Sequence, residues 1–281
     1  KKREIRGIIF AHVLGNPPDM DRLMKLIEKY DLVFLEDSCD ALGSTWDNKP
    51  MGSFGDISTC SFFPAHHMTM GEGGFVATNS NKPGNVTNGT ACGCRFGPWF
   101  PNQPDIIYDH RYVFDEIGYN LKPLELQACM GLKQLEKLDY MHERRKHNFK
   151  RMHEIFSEFD CMFHLPSAEE KADVSWFGFL VTLRDGVTFK KSALIDHLEA
   201  AKIQTRSYFT GNALFHPAYQ DLAKKYKDPA GQFPVATKST KDTFFVGVWP
   251  GMTDEQMDYI QEVLCKFCWK YKISIPYDER K

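Results

Sequence analysis

Three segments near the start of the chain fix its fold class. Ile5 to Val13 is rich in β-branched residues, is bounded by Gly15 and Pro17-Pro18, and reads as a buried strand. Asp19 is placed to cap a helix over Met20 to Lys29, with Met20, Leu23 and Ile27 as its apolar positions. Leu32 to Leu35 is a second apolar strand and ends at Glu36-Asp37. Strand, crossover helix and strand make a βαβ unit, which commits this part of the chain to a parallel sheet with helices on its faces. Short strands are expected next at Thr59 to Phe63 and Gly74 to Thr78.

Beyond these, Asn81 to Gln103 turns to Gly, Asn, Pro and Thr and reads as a loop. Leu124 to Phe159 reads as one long helical stretch, with Leu124, Ala128, Leu132, Leu135 and Leu138 at helical spacing. That stretch is expected to carry the chain out of a first domain, residues 1–145, into a second, residues 146–281. The second holds a strand at Trp176 to Leu183, an amphipathic helix at Phe189 to Lys202 and a strand at Phe244 to Val248. A last helix follows, capped by Thr253. With 281 residues, 42% hydrophobic and 26% charged, the chain is long enough to bury a core in one large domain or two.

Net charge is −2, so no bulk attraction to nucleic acid or an anionic membrane follows. No apolar run approaches the roughly 20 residues that cross a bilayer. Lys1 to Arg6 leads into a strand rather than a signal sequence, and a cytoplasmic enzyme is the expectation. The eight cysteines are scattered, as reduced thiols would be, and the sequons at Asn85 and Asn88 read as coincidental. Cys265 and Cys268 lie on the last helix and read as packed thiols more readily than as a redox pair.

Chemistry concentrates in the run Cys60-Ser61-Phe62-Phe63-Pro64-Ala65-His66-His67-Met68-Thr69-Met70-Gly71-Glu72-Gly73-Gly74. A histidine suits proton transfer near neutrality. Adjacent His66 and His67 point in different directions and nothing nearby completes a zinc set, so they are poor joint ligands. Asp37 follows directly on a buried strand, at the carboxyl end where α/β sheets place ligands. Its plain alternative is a helix cap or a surface acid.

That run resembles the Ser-Phe-x-x-x-Lys-x-x-x-x-Gly-[Glu/Asp]-Gly-Gly segment of the DegT/DnrJ/EryC1/StrS family of sugar enzymes. The resemblance extends to Val33-Phe34-Leu35-Glu36-Asp37-Ser38-Cys39-Asp40-Ala41-Leu42-Gly43-Ser44, to Gly118-Tyr119-Asn120-Leu121-Lys122 with Glu125-Leu126-Gln127-Ala128, and to Val248-Trp249-Pro250-Gly251-Met252-Thr253. It implies an α/β, aspartate-aminotransferase-like fold of type I, with part of a large mixed-sheet domain and a smaller carboxyl-terminal α+β domain. In the family a lysine forms a Schiff base with pyridoxal phosphate. His66 stands at that position, and no lysine occurs from Pro50 to Asn81, so no shift of register restores one.

The branch most resembled is the CDP-4-keto-6-deoxyglucose 3-dehydrases. It implies a chain that holds pyridoxamine phosphate without a covalent tether and uses His66 as the base in removing the C3 hydroxyl of a nucleotide-linked 4-keto-6-deoxyhexose, in deoxysugar or lipopolysaccharide biosynthesis. By the same resemblance Asp37 pairs with the cofactor's pyridine nitrogen, and Asp40 stands where many members have a glutamine beside the ring hydroxyl. Ser61 matches the family serine that reaches the cofactor phosphate, with a locally satisfied serine at a strand start as its alternative. Asn120 reaches the phosphate of the neighbouring subunit's cofactor, which implies a homodimer; a cap for the following helix is its equal alternative. Arg206, in Gln204-Thr205-Arg206, is placed to hold a diphosphate bidentately, or is a surface arginine.

The resemblance to the CDP-sugar dehydrases further implies that Cys39, Cys92 and Cys94 are three of the four ligands of a [2Fe-2S] cluster served by a flavin/iron–sulfur reductase; three unligated thiols are the alternative. Members also carry a segment ahead of the Ile5 strand, so an amino-terminally truncated chain is expected. Three other readings stay open: a GDP-4-keto-6-deoxymannose 3-dehydratase type without a cluster, a catalytically inactive remnant, and a sugar aminotransferase, which needs the lysine this chain lacks.

Overall fold

The computed structural model describes residues 5–79, 96–113, 119 and 121–275. The expected βαβ unit is present. Strand β1 (Gly7–Ala11) is followed by helix α1 (Met20–Tyr30) and strand β2 (Val33–Asp37). Asp19 caps α1 by accepting from the Arg22 N–H, and Asp31 ends it in the left-handed region. β1 and β2 run parallel, in a register that places Ala11 opposite Asp37. Strand β3 (Ile57–Ser61) extends the sheet in parallel, and β4 (Gly74–Thr78) closes it antiparallel, giving the order β1-β2-β3-β4.

The two faces of this sheet differ. Phe34, Ser58 and Cys60 point to the face packed by Met20 and Ile27 of α1, with Trp46 and Met51 filling the rest of that core. Ile9, Val33, Ile57 and Val76 point the other way and are exposed. Asp37, Thr59 and Ser61 share that open face by strand alternation, near the carboxyl ends of their strands.

The stretch expected as one helix from Leu124 to Phe159 is two. Helix α2 (Glu125–Leu135) stops, and α3 (Leu138–Ser157) starts after a break at Glu136-Lys137. No proline or glycine sits at the break. The two halves have different surroundings: Leu126, Leu132 and Leu135 of α2 are exposed, whereas Phe149, Met152, Ile155 and Phe156 of α3 are buried.

These α3 residues belong to a second and larger core, built on an antiparallel sheet. Its strands are β5 (Phe163–His164), β6 (Gly178–Leu183), β7 (Thr205–Ser207) and β8 (Thr243–Gly247), in the order β7-β8-β6-β5. Phe179, Val181, Phe244 and Val246 fill it from the sheet. Leu194 and Leu198 fill it from α4 (Lys191–Ala200), and Met257, Leu264 and Phe267 from α6 (Asp254–Tyr271). Helix α5 (Pro234–Asp242) lies ahead of β8. Thr253 caps α6 in a reciprocal box with Gln256. Cys268 is buried in this core and Cys265 half-buried, both thiols pushed up chiefly by burial. Among the described residues no helix is long and apolar enough to cross a membrane.

Candidate functional site

The loop between β3 and β4 carries His66. It is closed at its base by the Phe62 N–H donating to the Gly73 carbonyl and the Met70 N–H donating to the Phe62 carbonyl, at 2.9 and 3.0 Å. Inside it the His66 N–H donates to the Phe63 carbonyl at 3.0 Å, which sets the two histidines pointing apart as their adjacency requires. The His66 ring lies against Phe177, centroids 5.6 Å apart, with Phe63 edge-on at 6.5 Å.

His66 is in the wall of two clefts. The first, about 870 Å³, opens at the carboxyl ends of β1 and β2 and is lined by Asp37, Cys39, Asp40 and His66, with Tyr208, Phe209 and Phe233 opposite. The second, about 1030 Å³, runs between α3 and the second sheet and is lined by His66, His67, Arg145, Phe177, Arg206 and Trp249, among others. The sequence-predicted Asp37, Asp40 and His66 therefore meet in one cleft, and Arg206 lies in the other beside the same histidine. Ser61 is in neither lining; its hydroxyl accepts from the Phe63 N–H at 3.2 Å, capping the turn that leads to His66. Asn120 falls outside the described residues, as do Cys92 and Cys94.

Each acid in the first cleft has a local partner. Asp37 Oδ1 accepts from the Cys39 N–H at 3.1 Å. Asp40 Oδ2 accepts from the Leu14 N–H at 3.2 Å, and its Oδ1 stands 3.2 Å from His66 Nδ1. The Cys39 thiol is pushed up to about 12, by burial first and then by the Asp37 carboxylate, so it stays protonated at neutral pH. Among the described residues no cluster of three or more His, Cys, Asp or Glu side chains could hold a metal ion.

Three further groups have roles that the sequence did not assign. His67 is 2% exposed and donates from Nε2 to the Ser175 carbonyl at 2.7 Å. Burial first, and the Arg145 charge second, push it down to about 3, so it is neutral. Arg145, 4% exposed, donates to the Trp176 and Phe177 carbonyls at 3.2 and 3.3 Å. Burial brings its guanidinium down to about 10, still a cation at neutral pH.

Two buried side chains thus grip three consecutive carbonyls, Ser175 to Phe177, and the last of these residues is the one against which His66 rests. The same segment is tied to the first sheet by the Phe177 N–H donating to Leu14 and the Ser175 N–H donating to Ser44. Gly15, at φ +86°, makes this approach possible, since a Cβ there would meet the Ser175 and Asp40 carbonyl oxygens. A signal for Arg145 was available: it shares the inward helical positions of Asn148, Phe149 and Met152, where a cation needs a reason.

The third group is a buried pair at the edge of the first cleft. His12 Nε2 stands 3.0 Å from Glu36 Oε2, with both side chains fully buried. Burial alone would raise the Glu36 carboxyl, but His12 and the Gly55 and Gly52 amides hold it below its ordinary value. It is therefore an ionised anchor that fastens the 52–55 turn beneath the sheet. A glutamate inside an apolar strand was the visible sign.

The sequence pattern described as the DegT/DnrJ/EryC1/StrS aminotransferase family matches residues 1–265. Lipopolysaccharide biosynthesis protein RfbH of Salmonella typhimurium is 37% identical over 270 residues, 91% of this chain and 61% of the relative. A dTDP-4-dehydro-2,6-dideoxy-D-glucose 3-dehydratase of Saccharopolyspora spinosa is 38% identical over 280 residues, 94% of this chain and 60% of the relative. The chain thus spans about three fifths of the length of these two curated relatives. Among solved structures, the Escherichia coli GDP-4-keto-6-deoxy-D-mannose-3-dehydratase with bound hydrated PLP superposes at a TM-score of 0.74 with 27% identity, covering 92% of this chain and 67% of that one.

Proposed function

The chain belongs to the DegT/DnrJ/EryC1/StrS family, and on that premise we propose that it removes the C3 hydroxyl of a nucleotide-linked 4-keto-6-deoxyhexose with pyridoxamine phosphate as cofactor. Its fold is that of pyridoxal-phosphate-dependent transferases of type I. The observation that carries the proposal is His66, an imidazole at the family's lysine position, in the wall shared by a cleft holding Asp37 and a cleft holding Arg206. The names of the relatives, dehydratases of keto-sugar nucleotides, support the reaction class.

The first cleft suits the cofactor. Its volume is in the range of small-molecule sites, a carboxylate lies at one end, and Tyr208 and Phe209 offer flat walls for a heteroaromatic ring. When bound, the cofactor supplies an amine that condenses with the sugar ketone and a ring that accepts electrons. Asp37 is the residue that would hold the ring nitrogen protonated, a role its place at the end of β2 supports. His66 cannot tether the cofactor, so its work is to take a proton and to deliver one to the departing C3 hydroxyl. Arg206, in the adjoining cleft, is the candidate for the diphosphate. For Ser61 and Asn120 the cofactor-phosphate roles rest on the family resemblance alone.

Residues 1–145 are read as the cofactor-binding domain and 146–281 as the smaller domain, which the two separate cores support. A homodimer is proposed as well. Ile9, Ile57 and Val76 on the open sheet face, with Leu126, Leu132 and Leu135 on α2, support a protein surface that is covered on assembly. The compartment is proposed as cytoplasmic. In a second reading Cys39, Cys92 and Cys94 would supply three of the four thiolates of a [2Fe-2S] cluster, which would carry electrons from a partner reductase. Cys39, in the cofactor cleft, is its one ligand among the described residues.

The test is to incubate the protein with pyridoxamine phosphate and a CDP- or GDP-linked 4-keto-6-deoxyhexose and to weigh the sugar. Loss of the C3 oxygen supports the proposal. Return of the intact sugar, or of an amino sugar, overturns it.

A further inference from the structure

We infer that Asp40 is the positioning carboxylate for His66, fixing its neutral ring as the Nδ1–H tautomer so that Nε2 is the atom that exchanges protons. The inference rests on reading His66 as the base, and it assigns Asp40 a role through that side chain rather than through the cofactor.

The geometry leaves few other arrangements. His66 Nδ1 is out of contact with solvent and has no aligned hydrogen-bond partner. Asp40 Oδ1 is the acidic oxygen within ion-pair distance of it among the described residues, at 3.2 Å. A buried ring N–H without an acceptor is destabilising, whereas the same N–H facing a carboxylate is stabilised. The opposite tautomer would turn a lone pair of Nδ1 toward the negative oxygen.

Asp40 is itself held, because its other oxygen takes the Leu14 N–H. The buried Arg145 cation also acts electrostatically on Asp40 from the α3 side. The imidazole is bracketed by Phe177 and Phe63, so a small turn about its own axis is the motion available to align the pair. Bonds of this kind are often long and misaligned before a ligand closes the site. With Nδ1 committed, Nε2 is left for chemistry.

Histidine labelled with ¹⁵N reports the tautomer directly and needs no turnover. The protein without substrate is expected to show neutral His66 as Nδ1–H, assigned by its loss in His66→Asn. In Asp40→Asn the resonance is expected to move to the Nε2–H form or a mixture. With pyridoxamine phosphate and the keto-sugar nucleotide, the same variant is expected to lose roughly tenfold or more in kcat while KM and cofactor affinity hold within about twofold.

An Nε2–H ring in the unsubstituted protein overturns the inference without any variant, so a poorly folding Asp40→Asn does not shield it. An unchanged tautomer or an unchanged kcat in Asp40→Asn overturns it equally. If the tautomer behaves as expected and no deoxygenation is found, the reaction assigned above fails and the Asp40–His66 orientation stands.

Discussion

His67 makes the stability of the region behind the site depend on pH, and the size of the effect follows from its surroundings. The ring is buried, neutral and bonded to the Ser175 carbonyl, with a folded value near 3 against an ordinary 6.5. Because the folded value is depressed, the unfolded chain takes up the proton first as pH falls. The contribution is therefore complete above pH 6.5 and drains away between 6.5 and 3. At pH 5 the unfolded ring is protonated and the folded one is not, a gap of about 1.5 pH units below the unfolded value. At 1.36 kcal/mol per unit this is about 2 kcal/mol of stability lost relative to pH 7.

His67→Gln preserves a donor near the Ser175 carbonyl but cannot titrate. Urea unfolding followed by tryptophan fluorescence reads the core that contains Trp176, which is stacked on Phe149 with centroids 3.8 Å apart. The drop in unfolding free energy from pH 7 to pH 5 should be about 2 kcal/mol larger in the unsubstituted protein than in the variant. His142, also held down by burial, is present in both and cancels in the comparison. Equal drops would refute the reasoning, since they would mean that His67 is protonated in the folded state as readily as in the unfolded one.

The other expectations concern the same clamp and the same loop. Arg145→Met should cost about 2–4 kcal/mol in urea, because two buried carbonyls lose a charged donor; a cost below about 1 kcal/mol would mean the bonds are not made. Gly15→Ala should destabilise by about 2–3 kcal/mol, since alanine at that positive φ would drive a methyl into the Ser175 and Asp40 carbonyls; a neutral effect in thermal melts would contradict the close approach. His66→Lys should let pyridoxal phosphate be fixed to the protein by borohydride, detected by mass; no adduct would mean that position 66 does not face the cofactor cleft.

The first half of the fold could be read because its signals are local. The Asp19 cap, the β-branched first strand and the apolar run into Asp37 each act within a few residues, and all recur in the structure. Gly74–Thr78 matched its predicted bounds for the same reason. The break between α2 and α3 was not legible, because Glu136 and Lys137 are good helix formers. What divides the helices is that one packs on the second core and the other does not. Short β5 and β7 were also missed, since two- and three-residue strands carry too little pattern. At the site, the family resemblance singled out Asp37, Asp40 and His66, and the structure places the three in the wall of one cleft. The grip of His67 on Ser175 links residues 108 positions apart, and Asp40 meets His66 across 26; only the folded chain brings such pairs together.

Proton exchange at the cofactor's methylene carbon tests the central claim most directly. In deuterium oxide with pyridoxamine phosphate and the keto-sugar nucleotide, the protein should bring deuterium into that position. His66→Asn should abolish the incorporation while binding pyridoxamine phosphate as tightly as before. Undiminished incorporation in the variant would show that His66 moves no proton, and the deoxygenation assigned to this chain would lose its base.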